Sequence, residues 1–326
     1  MKRLGIVIPA YNTGENIGKL LRQIADQMTD ELEVIVVEDG SKDNTLEVAR
    51  RFEDEGITVI HQQNQGVGPA RNRGIDECSA EYIWFVDADD SIAADAVATL
   101  LSAIREYPSD CYLFRIEKKF GKTTQQITNP TNQMYSAREF AENFDSVFSS
   151  NLLNPLWNKL LKTQIIKDND LRFKNLRSGE DAEFGVRYLS CIQSIYLMTN
   201  VLYSYVLMSG SSSSHKFQKT YFDDHAAMFK ALNFYCAKTG ASADMVKARW
   251  RYEATMGFYK NVFNGLPEKK YGLFRRQVKS NWKALQSVLA LIPSTKKVTG
   301  MRRIICSLRL LSYMYILLKV KIAKSN

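Results

Sequence analysis

The chain has 326 residues, 45% hydrophobic and 24% charged, which excludes a disordered chain and allows one large domain or a domain with an appendage. Its five cysteines (Cys78, Cys111, Cys191, Cys236 and Cys306) are scattered with no C-x-x-C pair, which argues against a zinc site and a disulfide framework and for a reducing compartment. The formal charge of +9 is uneven: 14 Lys or Arg and no Asp or Glu lie from Lys269 onward, whereas the first 268 residues carry 30 basic and 35 acidic residues, a net of −5.

The opening "MKRLGIVIPAYN" places basic residues before an apolar run, but the run is short and broken by Pro9, so it reads as a first strand rather than a secretory signal. Runs at 4–8 (LGIVI), 33–38 (EVIVVE), 57–60 (ITVI), 82–86 (YIWFV) and 111–116 (CYLFRI) read as buried strands. Helical spacing separates them: Ile17, Leu20, Leu21, Ile24 and Met28 form one apolar stripe, and Ile92, Ala96, Val97, Leu100 and Ile104 another. Alternation at this interval predicts a largely parallel sheet covered on both faces. From 117 to 215 the pattern is mixed. "SAREFAENF" and "WNKLLKTQII" read as helices, "GEDAEFGVRYL" as a helix start, and "SIYLMTNVLYSYVLM" as one or two strands. After the polar loop "SGSSSSHK" (209–216), helices are expected near 221–238, 242–263, 271–292 and 300–322.

Parallel sheets bind ligands beyond the carboxyl ends of their strands. The polar clusters fall there: "PAYN" (9–12), "DGSKDNT" (39–45), "NQGVGPARNRG" (64–74) and "DADD" (87–90) follow the first four strands, and one crevice accounts for all of them. In "DADD", Asp87 and Asp89 alternate in an extended strand end with Ala88 pointing away, so both carboxylates can converge on a hard divalent cation that completes its shell with substrate phosphates. The plainer reading is an acidic turn with Asp90 or Ser91 capping the next helix. Asp39, before the tight turn at Gly40, can accept from a base edge or a sugar hydroxyl, whereas Ser41 and Asp43 read as helix caps. Gly66 and Gly68 allow close backbone approach, Pro69 suits a first helical position, and Arg71 presents a fixed guanidinium. The G-x-G here lacks the spacing of a dinucleotide fingerprint, and Arg73 reads equally well as a surface residue.

In order, "VIPAYN" (7–12), "VVEDGSKDNT" (36–45), "NQGVGPARNRGI" (64–75), "FVDADD" (85–90), "LWNKLLKTQIIKDNDLRF" (156–173) and "SGEDAEF" (178–184) resemble the family 2 glycosyltransferases of bacterial cell-surface polysaccharide type. The resemblance covers about residues 1–215 and implies an α/β GT-A nucleotide-diphospho-sugar transferase fold, with a mostly parallel central sheet flanked by helices. The expected organisation is a catalytic domain at 1–215, with a donor-nucleotide half at 1–116 and an acceptor half at 117–215, and then a helical region at 216–326. The resemblance further implies a UDP-sugar donor, a divalent metal (Mn2+ or Mg2+), and inverting transfer of a hexose or N-acetylhexosamine to a saccharide or lipid-linked saccharide hydroxyl. Pro9, Tyr11 and Asp39 match positions that hold the base and ribose, with Arg71 close to the base; Gly68 and Ala88 belong to the same donor-binding set. Asp87 matches the residue near ribose and metal, Asp89 the metal ligand, and Asp181 the catalytic base, although Glu180 and Asp181 would also suit a helix dipole as first-turn acids. Glu180 is expected beside the base or against the acceptor. Trp157 and Lys159 of "WNK" resemble a wall on the acceptor side, and an amphipathic helix start would look the same. His215, on an expected lid loop, either reaches the diphosphate or metal or is merely solvated; His61 and His225 carry no signal.

The tail "RRIICSLRLLSYMYILLKVKIAK" (302–324) is interrupted by Arg309 and Lys319, so it is expected to lie on an anionic membrane surface rather than span it, or else to pack on the body or a partner. The expected location is cytoplasmic, peripheral at the inner face of the membrane. Two other functions share part of this pattern. A metal-dependent nucleotidyltransferase needs a Gly-rich basic loop after the first strand, and "PAYNTGEN" has one Gly and no basic residue. A non-catalytic binder of nucleic acid or another anionic polymer would suit the pI of about 9.1, but the basic charge is confined to the tail and the crevice is acidic, so no nucleic-acid partner is expected.

Overall fold

Unbroken apolar runs build the centre of the molecule, because a strand covered on both faces cannot alternate with polar residues. The computed structural model describes residues 1–120, 123–127, 132–149, 154–207, 217–266 and 271–291. Its strands are β1 (Leu4–Ala10), β2 (Leu32–Glu38), β3 (Ile57–His61), β4 (Tyr82–Phe85), β5 (Ser91–Ile92), β6 (Cys111–Phe120), β7 (Thr123–Ile127), β8 (Gln133–Ser136), β9 (Lys159–Lys162) and β10 (Ser194–Leu207). They form one mixed sheet in the order β3-β2-β1-β4-β9-β6-β10-β5, with β7 paired to β6 and β8 to β10. β1, β2, β3 and β4 are all parallel, so their carboxyl ends share one edge. β9 enters antiparallel between β4 and β6, and β10 runs parallel to β6.

The helices are α1 (Gly14–Ala25), α2 (Thr45–Arg50), α3 (Val67–Glu77), α4 (Ala96–Glu106), α5 (Ala137–Glu142), α6 (Phe144–Ser149), α7 (Thr163–Asp168), α8 (Glu180–Leu189), α9 (Tyr221–Thr239), α10 (Asp244–Asn264) and α11 (Tyr271–Ala290). The stripe Ile17, Leu20, Leu21 and Ile24 of α1 is fully buried. α5 begins with a capping box in which Ser136 accepts from the Glu139 N–H and the Glu139 side chain accepts from Ser136. α8 begins after Gly179, whose φ of 79° favours glycine and where a side chain would collide with Met228 of α9. α9, α10 and α11 close around their own aromatic centre, with Phe229 near-parallel to Trp250 and Tyr259 against Phe274.

Three expectations are corrected. Residues 157–166 do not form one helix: Lys159–Lys162 is a strand and only Thr163–Asp168 turns helical. Leu160 and Leu161 are both fully buried, and the open edges of β4 and β6 take up the backbone hydrogen bonds between them. Ile92 belongs to β5, opposite Tyr203, so the second helical stripe starts only at Ala96. Asp90 does not cap α4, because its carboxylate is taken by the Tyr203 hydroxyl. The expected helix at 300–322, the tail at 302–324 and His215 lie outside the described residues.

Candidate active site

The shared edge of the parallel strands gathers the polar loops as their spacing predicts. Asp39 follows β2 and is buried; its carboxylate accepts the Gln65 N–H at 2.9 Å, the Gly66 N–H at 2.8 Å and Gln62 Nε2 at 2.8 Å. Gly66 reaches this bond with φ of 100°, which an L side chain resists. Asp39 therefore shapes the loop that leads into α3. Burial alone would raise the neighbouring Glu38 carboxyl, but hydrogen bonds from Ser41 and the His61 imidazole at 2.6 Å bring it below its ordinary value. Asn12 ties the first loop to the second: its N–H donates to Ser41 Oγ at 2.9 Å, and the Lys42 N–H donates to its side chain at 2.8 Å. Ser41 thus bridges loops instead of capping α2, while Asp43 accepts the Thr45 N–H at 3.1 Å and the Gly14 N–H at 3.2 Å. Pro9 lies in β1 beside Val37, Tyr11 is 43% exposed, and Gly68 packs against the 173–174 backbone, where a side chain would crowd Lys174.

At the centre stands Arg71, projected from the first turns of α3 and only 3% exposed. Its Nη1 lies 2.5 Å from Asp181 Oδ1 and 3.7 Å from Glu180 Oε1, and its Nη2 lies 2.9 Å from Asp87 Oδ1. The guanidinium sits over the Phe173 ring at 5.3 Å, and Phe173 is held in turn by paired hydrogen bonds with Asn72 at 2.9 and 2.8 Å. Arg71 Nε is buried and has no acceptor among the described residues. Three carboxylates keep the guanidinium firmly charged against the cost of burial. Burial pushes the Asp181 carboxyl up, with Asp87 adding to it, while Arg71 opposes. Burial and then Asp181 raise Glu180 as well. Lys159 is buried below them; burial draws its ammonium down to about 7, and it donates to the Pro155 carbonyl and to Asn158 Oδ1.

β4 ends at Phe85, so Asp87 and Asp89 do not alternate along an extended strand end as expected but lie on the 87–90 turn, which carries the chain across to β5. Ala88 is buried, and Asp89 is exposed at the cleft mouth. Although exposed, Asp89 has its carboxyl raised, first by the protein around it and then by Asp87, and no ion pair to it forms among the described residues. The Tyr203 hydroxyl accepts the Asp87 N–H at 3.2 Å and donates to Asp90 at 2.5 Å. Trp157 stacks on Tyr203 with centroids 4.7 Å apart and on Tyr205 at 5.7 Å, and its carbonyl accepts Trp84 Nε1 at 2.7 Å.

Among the described residues no three His, Cys, Asp or Glu side chains cluster to hold a metal by themselves. The donor set instead offers the hard oxygens of Asp89, with Asp87 already shared by Arg71. That set fits a divalent ion whose remaining ligands come from substrate phosphate and water.

The structure brings Asp87, Asp181, Glu180 and Arg71 into one charged cluster, with Trp157 and Lys159 alongside. It adds Tyr203 and Tyr205, which lie in a strand to which the sequence assigns no role. The alternation in "LYSYV" was the available signal, since it places both tyrosines on one side of β10.

A curled mixed sheet with parallel strands β1–β4, an acidic turn after β4 and an acidic helix start facing it define a GT-A glycosyltransferase. The chain belongs to glycosyl transferase family 2, whose model matches residues 5–168. It is 28% identical to EpsH of Bacillus subtilis (strain 168) over 232 residues, 70% of this chain and 67% of that protein. It is 26% identical to the glycosyltransferase GlyG of Streptococcus pneumoniae serotype 4 over 260 residues, 76% of this chain and 85% of that protein. Its fold is similar to that of S. aureus TarS 1–349, solved in complex with UDP-GlcNAc, with a TM-score of 0.66 at 19% identity, covering 96% of this chain and 90% of that one.

Proposed function

We propose that the chain moves a hexose or N-acetylhexosamine from a UDP-sugar to a hydroxyl of a saccharide or lipid-linked saccharide, with inversion, during bacterial surface polysaccharide synthesis. The observation that carries this reading is the Arg71 bridge, which holds Asp181 and Asp87 on one buried guanidinium and so joins the acceptor side of the cleft to the donor side. The UDP-GlcNAc complex of TarS, which shares the fold, supports the choice of donor.

In this reading Pro9, Tyr11, Asp39 and the Gly66–Arg71 turn frame the nucleoside, with Gly68 and Ala88 giving the backbone close approach. Asp181 takes the proton of the acceptor hydroxyl as that oxygen attacks the anomeric carbon from the face opposite the diphosphate. The new C–O bond forms, the bond to the phosphate oxygen breaks, and its electron pair leaves with UDP. Burial raises the Asp181 carboxyl toward the range in which a base works, while Arg71 and the Leu156 N–H keep the carboxylate form accessible. Trp157 walls the acceptor side, Lys159 lies buried behind it and not on the wall as expected, and Glu180 stands beside the base. A divalent ion held by Asp89 beside Asp87 would neutralise the charge of the departing diphosphate.

Among the described residues no helix is long and apolar enough to cross a membrane. The basic tail is proposed to rest on an anionic membrane surface and bring the cleft to lipid-linked acceptors, with residues 1–215 as the catalytic part. The purified chain with Mn2+ and a panel of UDP-sugars tests the whole reading. One donor should release UDP faster when an oligosaccharide acceptor is added, and failure of every UDP-sugar to bind or turn over overturns it.

A further inference from the structure

Tyr203 and Tyr205 leave β10 on the same side, because strand residues two apart share a face. Their rings lie nearly parallel to Trp157, at interplanar angles of 6° and 9°. Tyr203 is fully used, since its hydroxyl accepts from Asp87 and donates to Asp90. Tyr205 differs. It is half-buried, and its hydroxyl has no hydrogen-bond partner among the described residues. The antiparallel register that pairs Ser204 with Ser91 sets Tyr205 beside Asp90 and Asp89. A phenol hydroxyl can donate a hydrogen bond, and this one stands at the rim of the ring.

Position narrows the ligand. Asp39 and the loop into α3 stand at the β2 and β3 end of the cleft, whereas Tyr205 stands on β10, at the far end of the 87–90 turn. A donor lying along that turn therefore presents its sugar, not its base, to Tyr205. A flat ring with one neutral donor at its rim suits a pyranose, whose C–H face packs on an aromatic surface while its hydroxyls accept hydrogen bonds. We propose that Tyr205 reads the transferred sugar, its hydroxyl donating to a sugar oxygen and its ring, braced by Trp157, forming part of the sugar's bed. This rests on the UDP-sugar reading above and adds the residue that discriminates among sugars.

The test uses the full chain with Mn2+, titrated calorimetrically with UDP and assayed with UDP-glucose, UDP-galactose and UDP-N-acetylglucosamine. Tyr205→Phe and Tyr205→Ala should bind UDP within about twofold of the wild type, because UDP carries no sugar for Tyr205 to touch. For the preferred donor, kcat/KM should fall about fivefold in the Phe variant and more than about tenfold in the Ala variant, and the preference among the three donors should narrow. Wild-type donor preference in both variants overturns the role of Tyr205 and leaves the UDP-sugar reading standing. Equal losses of UDP and sugar-donor affinity in the Phe variant overturn it too, as they mark a structural role. If the wild type binds no UDP, both readings fall together.

Discussion

Arg71 Nη1 lies 2.5 Å from Asp181 Oδ1 while its Nη2 lies 2.9 Å from Asp87 Oδ1, so a single buried guanidinium ties the start of α8 to the end of β4. Each partner charge is tolerable in the interior only because the others are there. Lysine cannot reproduce the fork. Arg71→Lys should lower unfolding stability by about 3 kcal/mol in urea denaturation and reduce kcat at least about tenfold in initial-rate assays. Wild-type values for both would remove the bridge from the account.

Asp181 offers a direct test of the base. Asp181→Asn keeps an oxygen facing Arg71 but cannot take a proton. Transfer should fall about 1000-fold, while calorimetry should find UDP binding within about twofold of the wild type.

The amine of Lys159 gives a pH signature. Burial draws it down to about 7 from an ordinary value of 10.5, with Cys111 and Asp181 opposing. Between those values the unfolded chain binds a proton that the folded chain does not, so this contribution to stability grows as pH rises from about 7 and is lost as pH falls through it. Lys159→Met should flatten that rise, measured as the change in denaturation midpoint between pH 7 and pH 9. An unchanged slope would show that Lys159 is not the group responsible.

Asn72 holds both backbone groups of Phe173, at 2.9 and 2.8 Å, and Phe173 supports the Arg71 guanidinium. Asn72→Ala should cost about 2 kcal/mol of stability by leaving those groups unpaired, and should lower kcat through the loosened arginine. Thermal unfolding and steady-state rates separate the two effects.

Asp89 bears on the metal. A chelator should abolish UDP release, added Mn2+ should restore it, and Asp89→Asn should raise the Mn2+ concentration needed for half-maximal rate by about tenfold or more. Full activity of the chelated protein would exclude the ion from catalysis.

The parallel-strand part of the sheet was legible because its information is local. β-branched runs such as "VIVV" favour buried strands over helices, and Gly66 takes the positive φ that lets the chain turn into α3. Four parallel strands then require their loops to meet at one edge, so Asp39, Arg71 and Asp87 were recognisable before any contact was known. Residues 159–162 were misread because a short doubly buried run has no period of its own, and only the vacant slot between β4 and β6 makes it a strand.

The amino-acid order by itself determined the strand–helix alternation, the run of acids at 87–90 and the acids that open α8, since each follows from residue type and spacing along the chain. Only the tertiary structure decided that Arg71 would join two of those carboxylates, that Asp90 would hold Tyr203 rather than cap a helix, and that Tyr205 would stand beside Asp89. Partners 113 residues apart, as Asp90 and Tyr203 are, meet through the curl of the sheet, and no periodicity in the intervening chain encodes that meeting.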